Sequence, residues 1–322
     1  MPLNKTIFST NHMGNNRLLH SILLIITVLN FNCGKNPSTP QKVFRFSETI
    51  LVDGLERTYL LNLPPTYYES GGFSLVIAMH GGGGDAEQFE KSSGLTDKGN
   101  RSGFIIVYPN GIKSTGLLKA QTWNGGSCCD YAVEKNIDDV KFISQLIDHL
   151  AGKYKINQKK VYATGHSNGG IMAYRLACEL STKIAAIAPN GCTMTVTSPC
   201  KASRPVPVLH MHSVNDRNVP YRGGYGEGVS KAYFPAVDSV LNVWSLIDAC
   251  NTKAQKVEDN SGYTLFRWSD CLNQVNIRFY LTKDGGHAWP GGSKGSAMGD
   301  TPSQAIIAND LIWDFFQQYQ LP

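Results

Sequence analysis

The sequence predicts an α/β domain with a mostly parallel central sheet and helices on both faces. Continuous apolar runs of strand length alternate with stretches of helical period, and short glycine clusters sit at the junctions between them. Composition agrees: 42% hydrophobic and 17% charged residues over 322 positions exclude disordered, collagen-like and coiled-coil chains. No internal repeat and no break in composition divides the chain, so a single domain is expected.

The first residues are expected to lie outside that domain. Residues 18–31, LLHSILLIITVLNF, form the only long apolar stretch; Arg17 precedes them, and they are short for a membrane span. They read as the core of an export signal over 1–32. Met13 is a better start than Met1, because it leaves the short polar lead-in MGNNR. The segment ends LNFNC, which resembles a bacterial lipoprotein signal. Cleavage before Cys33 would let its sulfur carry a diacylglycerol; the alternative is an ordinary signal peptide with Cys33 incidental. Residues 33–42 are polar and proline-containing and read as a lipidated tether that holds the protein at a membrane surface without spanning it. The domain proper is then 43–322. Of the net charge of +5, Lys5 and Arg17 lie in the leader, and the +3 that remains gives no argument for nucleic acid as a partner.

Within the domain, residues 43–63 read as a hairpin turning at Asp53-Gly54. FSLVIAMH (73–80) and GFIIVYP (103–109) are strands, the first leading into a glycine run and the second into a polar loop. Ile137, Val140, Ile143, Ile147 and Leu150 mark a helix, with Asn136 as its cap and Asp138 and Asp139 in its positive first turn. KKVYATG (159–165) is a strand and GGIMAYRLACEL (169–180) a helix. IAAIAPN (184–190) and PVPVLHMHSV (205–214) are strands, a helix lies near 236–249, and YTLFRW and VNIRFYL are strands again. Thr301, Pro302 and Gln304 supply a capping-box start for a closing helix, AIIANDLIWDFF.

Seven cysteines follow Cys33, and an exported protein should bridge some of them. The number is odd, so one stays free or pairs between molecules; Cys178, in an apolar helical run, is the candidate. Cys250 and Cys271 bracket one polar excursion and are the first choice for a disulfide. Adjacent Cys128 and Cys129 either bridge each other or have separate partners. No C-x-x-C pair occurs, which argues against a cysteine zinc site.

The sharpest chemical signal is Gly165-His166-Ser167-Asn168-Gly169-Gly170, a G-x-S-x-G between a strand and a helix. Such a turn strains the serine backbone, needs small neighbours and points a helix N-terminus at developing negative charge. A serine hydroxyl needs a base, and the base needs an orienting acid, in the chain order serine, acid, histidine. Only His287, in DGGHAWP directly after a strand, lies far enough beyond Ser167 to leave room for an acid. Asp216 is that acid, since it almost immediately follows the run PVPVLHMHSV. Its rivals fall in helical patterns (Glu179, Asp238, Asp248), in a glycine-rich loop (Glu227) or in polar excursions (Glu258, Asp259, Asp270), while Asp284 is too near His287. His210 and His212 alternate onto one face of that strand. A metal site with Asp216 lacks a third histidine or a cysteine cluster, so packing or hydrogen bonding near the site is the preferred reading. His80 and the run Gly81–Gly84 offer backbone N–H groups to an oxyanion; Gly82 or its neighbour is one donor and the N–H of Asn168 the other. A phosphate loop is disfavoured because G-K-[ST] is missing.

These pieces, together with YPNG (108–111), WNGGSCCD (123–130), IDDVKF (137–142), HSVNDRNVPYRGG (212–224) and GGHAWPGG (285–292), resemble the polyhydroxybutyrate depolymerase and feruloyl esterase-like group of secreted α/β-hydrolases. They occur in family order over roughly residues 45–320. The resemblance implies the α/β-hydrolase fold and ester hydrolysis through an acyl-serine, with Ser167 as nucleophile, His287 as base and then acid, and Asp216 as its orienter. It implies no metal and no organic cofactor. The substrate would be a small or oligomeric ester: a hydroxyalkanoate oligoester, or a feruloyl or acetyl ester of a polysaccharide. Trp123 and Trp289 could line an acyl or aromatic pocket, with plain packing as the alternative. No separate substrate-binding domain is visible, which weakens a crystalline-polymer reading. The competing readings are a serine peptidase with the same triad and a non-catalytic surface lipoprotein that binds a partner.

Overall fold

The hairpin expected at Asp53-Gly54 opens the sheet. Strands β1 (Arg45–Val52) and β2 (Leu55–Asn62) pair antiparallel with Val52 opposite Leu55. Both turn residues have positive φ, 50° and 78°, as a type I′ hairpin turn requires. The computed structural model describes residues 42–322, apart from Val229 and Thr252. The expected signal, Met13, Cys33 and the tether up to residue 41 lie outside the described residues.

The sheet continues with β3 (Phe73–Met79), β4 (Ile105–Pro109), β5 (Ile156–His166), β6 (Ala186–Asn190) and β7 (Val208–Ser213), then β8 (Gln255–Asp259), β9 (Tyr263–Trp268) and β10 (Ile277–Thr282). Its ten strands lie in the order β1-β2-β4-β3-β5-β6-β7-β10-β9-β8. The six middle strands are mutually parallel. The hairpin strands at either side are antiparallel, so the sheet is mostly parallel, as expected.

The pleat sorts the apolar side chains onto two faces. Leu75, Ile77 and Met79 of β3 join one core, and Val76 and Ala78 join the other. The first face is covered by α4 (Asp139–Lys153), α5 (Asn168–Glu179) and α6 (Val237–Ile247), through residues such as Phe142, Tyr174 and Trp244. The second is covered by α1 (Ala86–Ser93), α2 (Leu95–Ser102) and α7 (Ala308–Phe316), through Phe89, Leu95, Phe315 and Phe316. A short α3 (Asp130–Glu134) precedes α4.

Several expectations are corrected. No helix is expected from the sequence between 84 and 103, where α1 and α2 stand. Asp85 caps α1 by accepting the Gln88 N–H at 2.8 Å, and Gly94, with φ 64°, turns the chain between the two helices. The cap of α4 is Asp138, whose carboxylate accepts the Lys141 N–H at 2.8 Å; Asn136 lies earlier, in a positive-φ turn. Asp139 does stand in the first turn of α4, as expected, but packs inward. It is fully buried, accepts from Arg57 at 2.7 Å and from the Asn124 N–H at 2.8 Å, and the Arg57 guanidinium lies 3.9 Å over the Phe142 ring.

The closing helix begins at Ala308, not at the capping box. Ser303 and the Gln304 N–H both donate to the Asp284 carboxylate, and the Gly291 N–H donates to Ser303 O at 2.8 Å. The segment 301–307 is thereby held alongside the His287 loop. Cys178 is not free: it bridges Cys200, and buried Cys192 is the free thiol among the described residues. Cys250–Cys271 pairs as expected, and Cys128 bridges Cys129. The polar excursion between Cys250 and Cys271 contains β8, an edge strand exposed at every residue.

Candidate active site

Strand β5 ends in a sharp turn at Ser167, and α5 starts at the next residue. Ser167 has φ 55° and ψ −122°, outside the regions ordinary side chains prefer, a strain of about 1–3 kcal/mol. The Ser167 N–H donates to Asn190 O at 2.9 Å, and its carbonyl accepts the Ile171 N–H at 2.9 Å, which fixes the turn. The glycines of the motif are a steric requirement. A Cβ on Gly165 would lie 2.5 Å from the carbonyl carbon of Gly169 and 2.8 Å from Met79 O, and one on Gly169 would run into the Met79 and His80 backbone.

Asp216 stands in the loop after β7 and His287 in the loop after β10, both at carboxyl ends of parallel strands, as Ser167 is. His287 Nδ1 lies 2.7 Å from Asp216 Oδ2. A carboxylate only accepts, so Nδ1 carries the hydrogen and Nε2 is left as a base. Asp216 is 4% exposed; its Oδ1 accepts the Val219 N–H at 2.8 Å, and its Oδ2 lies 3.2 Å from His212 Nε2. Burial alone would raise its pKa. The neighbouring His287 and hydrogen bonds from His212 and His287 outweigh burial and hold the carboxyl well below the usual range. The His287 backbone N–H donates to Asp300 Oδ2 at 2.7 Å, an anchor that nothing in the local pattern around Asp300 announces.

Ser167 and His287 border one cleft of about 530 Å3, with Gly81–Gly84, Asn218, Trp289 and Met298 in its wall. The two share this wall without a hydrogen bond between them. A larger hollow of about 820 Å3 lies between α6 and the β9–β10 strands, but it brings together no such set of groups.

The expected oxyanion donors lie together. The Cβ position of Gly82 is 3.7 Å from Asn168 Cβ. Gly83 and Gly84 spend their N–H groups on Gln121 O at 2.8 Å and Gly81 O at 3.1 Å, whereas the Gly82 N–H has no backbone acceptor among the described residues. Asn168 is the first residue of α5, where N–H groups have no intrahelical acceptor. Its side chain is clamped to the Trp123 backbone, accepting from N–H at 2.7 Å and donating to C=O at 2.9 Å.

Trp123 therefore is not where the cleft expectation put it. It is fully buried, donates its indole N–H to His80 O at 3.0 Å and stacks on Phe142, so it props the glycine loop from below. Trp289 does reach the cleft wall, with its indole N–H tied to Asn309 Oδ1 at 2.9 Å. His80 donates from Nδ1 to Gly81 O at 2.8 Å and accepts the Gly111 N–H at 2.9 Å; burial pushes its pKa down to about 4. His166 accepts from Asn190 Nδ2 at 2.8 Å, its ring centre is 4.5 Å from that of His287, and burial followed by that neighbour lowers its pKa.

Known proteins resemble this chain in sequence and fold. The family model described as phospholipase/carboxylesterase matches residues 72–233, half of the chain, including Ser167 and Asp216. Feruloyl esterase B of Piromyces equi is 26% identical over 272 residues, covering 83% of this chain and 46% of its own length. The bifunctional acetylxylan esterase/xylanase XynS20E of Neocallimastix patriciarum is 29% identical over 246 residues, covering 76% and 31%. The chain thus spans less than half the length of these two relatives. Among solved structures, the acetyl xylan esterase from Aspergillus awamori aligns with a TM-score of 0.59 at 14% identity, over 85% of this chain and 98% of that one, a likeness of fold. The chain belongs to the phospholipase/carboxylesterase family and carries the α/β-hydrolase fold.

Proposed function

We propose that the protein is a serine carboxylic-ester hydrolase that works through an acyl-serine on feruloyl or acetyl esters of polysaccharides. The observation that carries the reading is Ser167, held at φ 55° on the wall of a cleft it shares with His287, whose Nδ1–H is fixed by Asp216 at 2.7 Å. His287 Nε2 takes the Ser167 proton as the hydroxyl oxygen attacks the ester carbonyl. The N–H groups of Gly82 and Asn168 receive the oxyanion. His287 returns the proton to the leaving alcohol, and water, activated by the same nitrogen, then releases the acid. The names of the relatives, feruloyl and acetylxylan esterases, favour polysaccharide esters over hydroxyalkanoate oligoesters.

Export is part of the proposal, supported by three disulfides among the described residues. Anchoring through Cys33 is supported by the segment LNFNC. The test is hydrolysis of nitrophenyl acetate, methyl ferulate, acetylated xylan fragments and hydroxybutyrate oligomers by the wild type and by Ser167→Ala. Ser167-dependent turnover that favours the first three is expected. Equal rates for the two proteins would defeat the serine mechanism, and a preference for hydroxybutyrate oligomers would defeat the substrate class.

A further inference from the structure

His210 and His212 take no part in the steps above, yet they stand in a continuous buried line between α5 and the loop of Asp216. His212 Nε2 is 2.8 Å from Val219 O and 3.2 Å from Asp216 Oδ2. His210 Nε2 is 3.1 Å from His212 Nδ1, and His210 Nδ1 is 2.8 Å from the Tyr174 hydroxyl. Tyr174 and His210 are 0% exposed, His212 1% and Asp216 4%, so the line is shut off from bulk solvent.

The atoms dictate a direction. The Val219 carbonyl can only accept, so His212 Nε2 carries a hydrogen. With Nδ1 of a neutral His212 as acceptor, His210 donates from Nε2 and accepts at Nδ1, and Tyr174 donates there. The reverse direction would leave the Tyr174 O–H without an acceptor among the described residues, and an orphaned buried donor costs about 1–3 kcal/mol. Burial holds the His210 pKa well below its ordinary value and that of Tyr174 well above, so neither carries charge.

The chain ends on the turn that carries the acid. Asp216 Oδ1 holds the Val219 N–H and His212 holds the Val219 carbonyl, so the turn is closed from both sides, with Asn218 on the cleft wall between them. Its other end is Tyr174, on the helix that begins directly behind Ser167. We propose that Tyr174, His210 and His212 are positioning residues: a one-way hydrogen-bond chain that couples the nucleophile's helix to the acid's loop and fixes where Asp216 accepts the His287 Nδ1–H hydrogen bond. Its kinetic consequence rests on the hydrolase reading; its geometry does not.

Two measurements on the folded protein test it. In 15N-histidine NMR spectra, His210 and His212 should both be Nε2–H tautomers; a Nδ1–H tautomer or an imidazolium at either overturns the chain, whatever reaction the protein performs. In turnover of nitrophenyl acetate, Tyr174→Phe keeps the ring and removes the hydroxyl. It should lower kcat about tenfold with KM within about twofold, because one buried hydrogen bond of the support is lost. His212→Gln retains a donor within reach of Val219 O and should keep clearly more activity than His212→Leu. An unchanged kcat in folded Tyr174→Phe, or equal kcat in the Gln and Leu variants, overturns the positioning role. If the wild type shows no Ser167-dependent turnover, the hydrolase reading fails, and the tautomers still decide the chain.

Discussion

Replacing Asp216 with asparagine keeps the volume of the side chain and inverts half of its hydrogen bonding. The carboxylate now receives His287 Nδ1–H at 2.7 Å and Val219 N–H at 2.8 Å, with His212 Nε2 3.2 Å away. Asparagine offers one acceptor oxygen and one donor group to the same places. If its oxygen keeps Val219, the NH2 meets the His287 Nδ1–H; if it turns round, the NH2 meets the Val219 N–H. In the first arrangement His287 relaxes to the other tautomer, with Nε2–H facing Ser167, and no base remains. The loss expected for a wrong-tautomer histidine is about 10³–10⁴ in kcat/KM, or roughly 4–5.5 kcal/mol of transition-state stabilisation. The second arrangement leaves a buried donor unpaired, at about 1–3 kcal/mol of stability. The assay is steady-state nitrophenyl acetate hydrolysis paired with thermal unfolding. An Asp216→Asn protein that unfolds like the wild type and retains more than about a tenth of kcat/KM, against the loss of three to four decades expected, would refute this account of the acid.

Two further predictions concern buried carboxylates away from the cleft. Asp248 accepts the Val206 N–H at 2.8 Å on Oδ1 while its Oδ2 has no hydrogen-bond partner among the described residues, and burial pushes its pKa up to about 7 against an ordinary value near 4. The folded state binds this proton more tightly than the unfolded one. Its stabilising contribution is therefore full below pH ~4, is lost as pH rises to ~7, and amounts to at most about 4 kcal/mol. Urea unfolding from pH 4 to 8 should show wild type losing stability relative to Asp248→Asn across that window, and a constant difference would contradict it. Arg57→Met removes the partner of buried Asp139 and should cost about 3–5 kcal/mol in urea unfolding, part of which Asp139→Asn restores in the double variant. An Arg57→Met protein as stable as the wild type would show that the pair is dispensable.

What could be read from the sequence is what local sterics and chain order write into it. The elbow was legible because only glycine fits at 165 and 169, and the hairpin because Asp53-Gly54 suits a tight turn. The chain order serine, acid, histidine, together with the ends of two strands, singled out Asp216 and His287. Features decided by distant partners were not legible. Trp123 looks like a cleft residue until its indole finds His80 O, and Cys178 looks like a core thiol until Cys200 is folded against it. The capping box at 301–304 was a sound local signal that lost to Asp284, which takes both Ser303 and the Gln304 N–H. Helices α1 and α2 are short and largely polar, so periodicity was faint; Asp85 and the left-handed glycines at 94 and 103 were the usable signs. Tyr174 gave no signal at all, because a tyrosine in an apolar helix is indistinguishable from ordinary packing.

The outermost strand on the β8 side has a consequence for how the protein behaves in a crowd. A sheet with an open rim invites a neighbouring molecule to add its own strand. Here the rim is exposed at every residue, its register slips between Lys256 and Glu258, and Lys256 and Lys283 both bind Asp259, at 2.9 and 2.7 Å. An arriving strand would have to dehydrate those charges and follow a kinked template. The polar stretch that seemed mere connection is thus a fender: it disfavours the addition of a further strand at this end of the sheet.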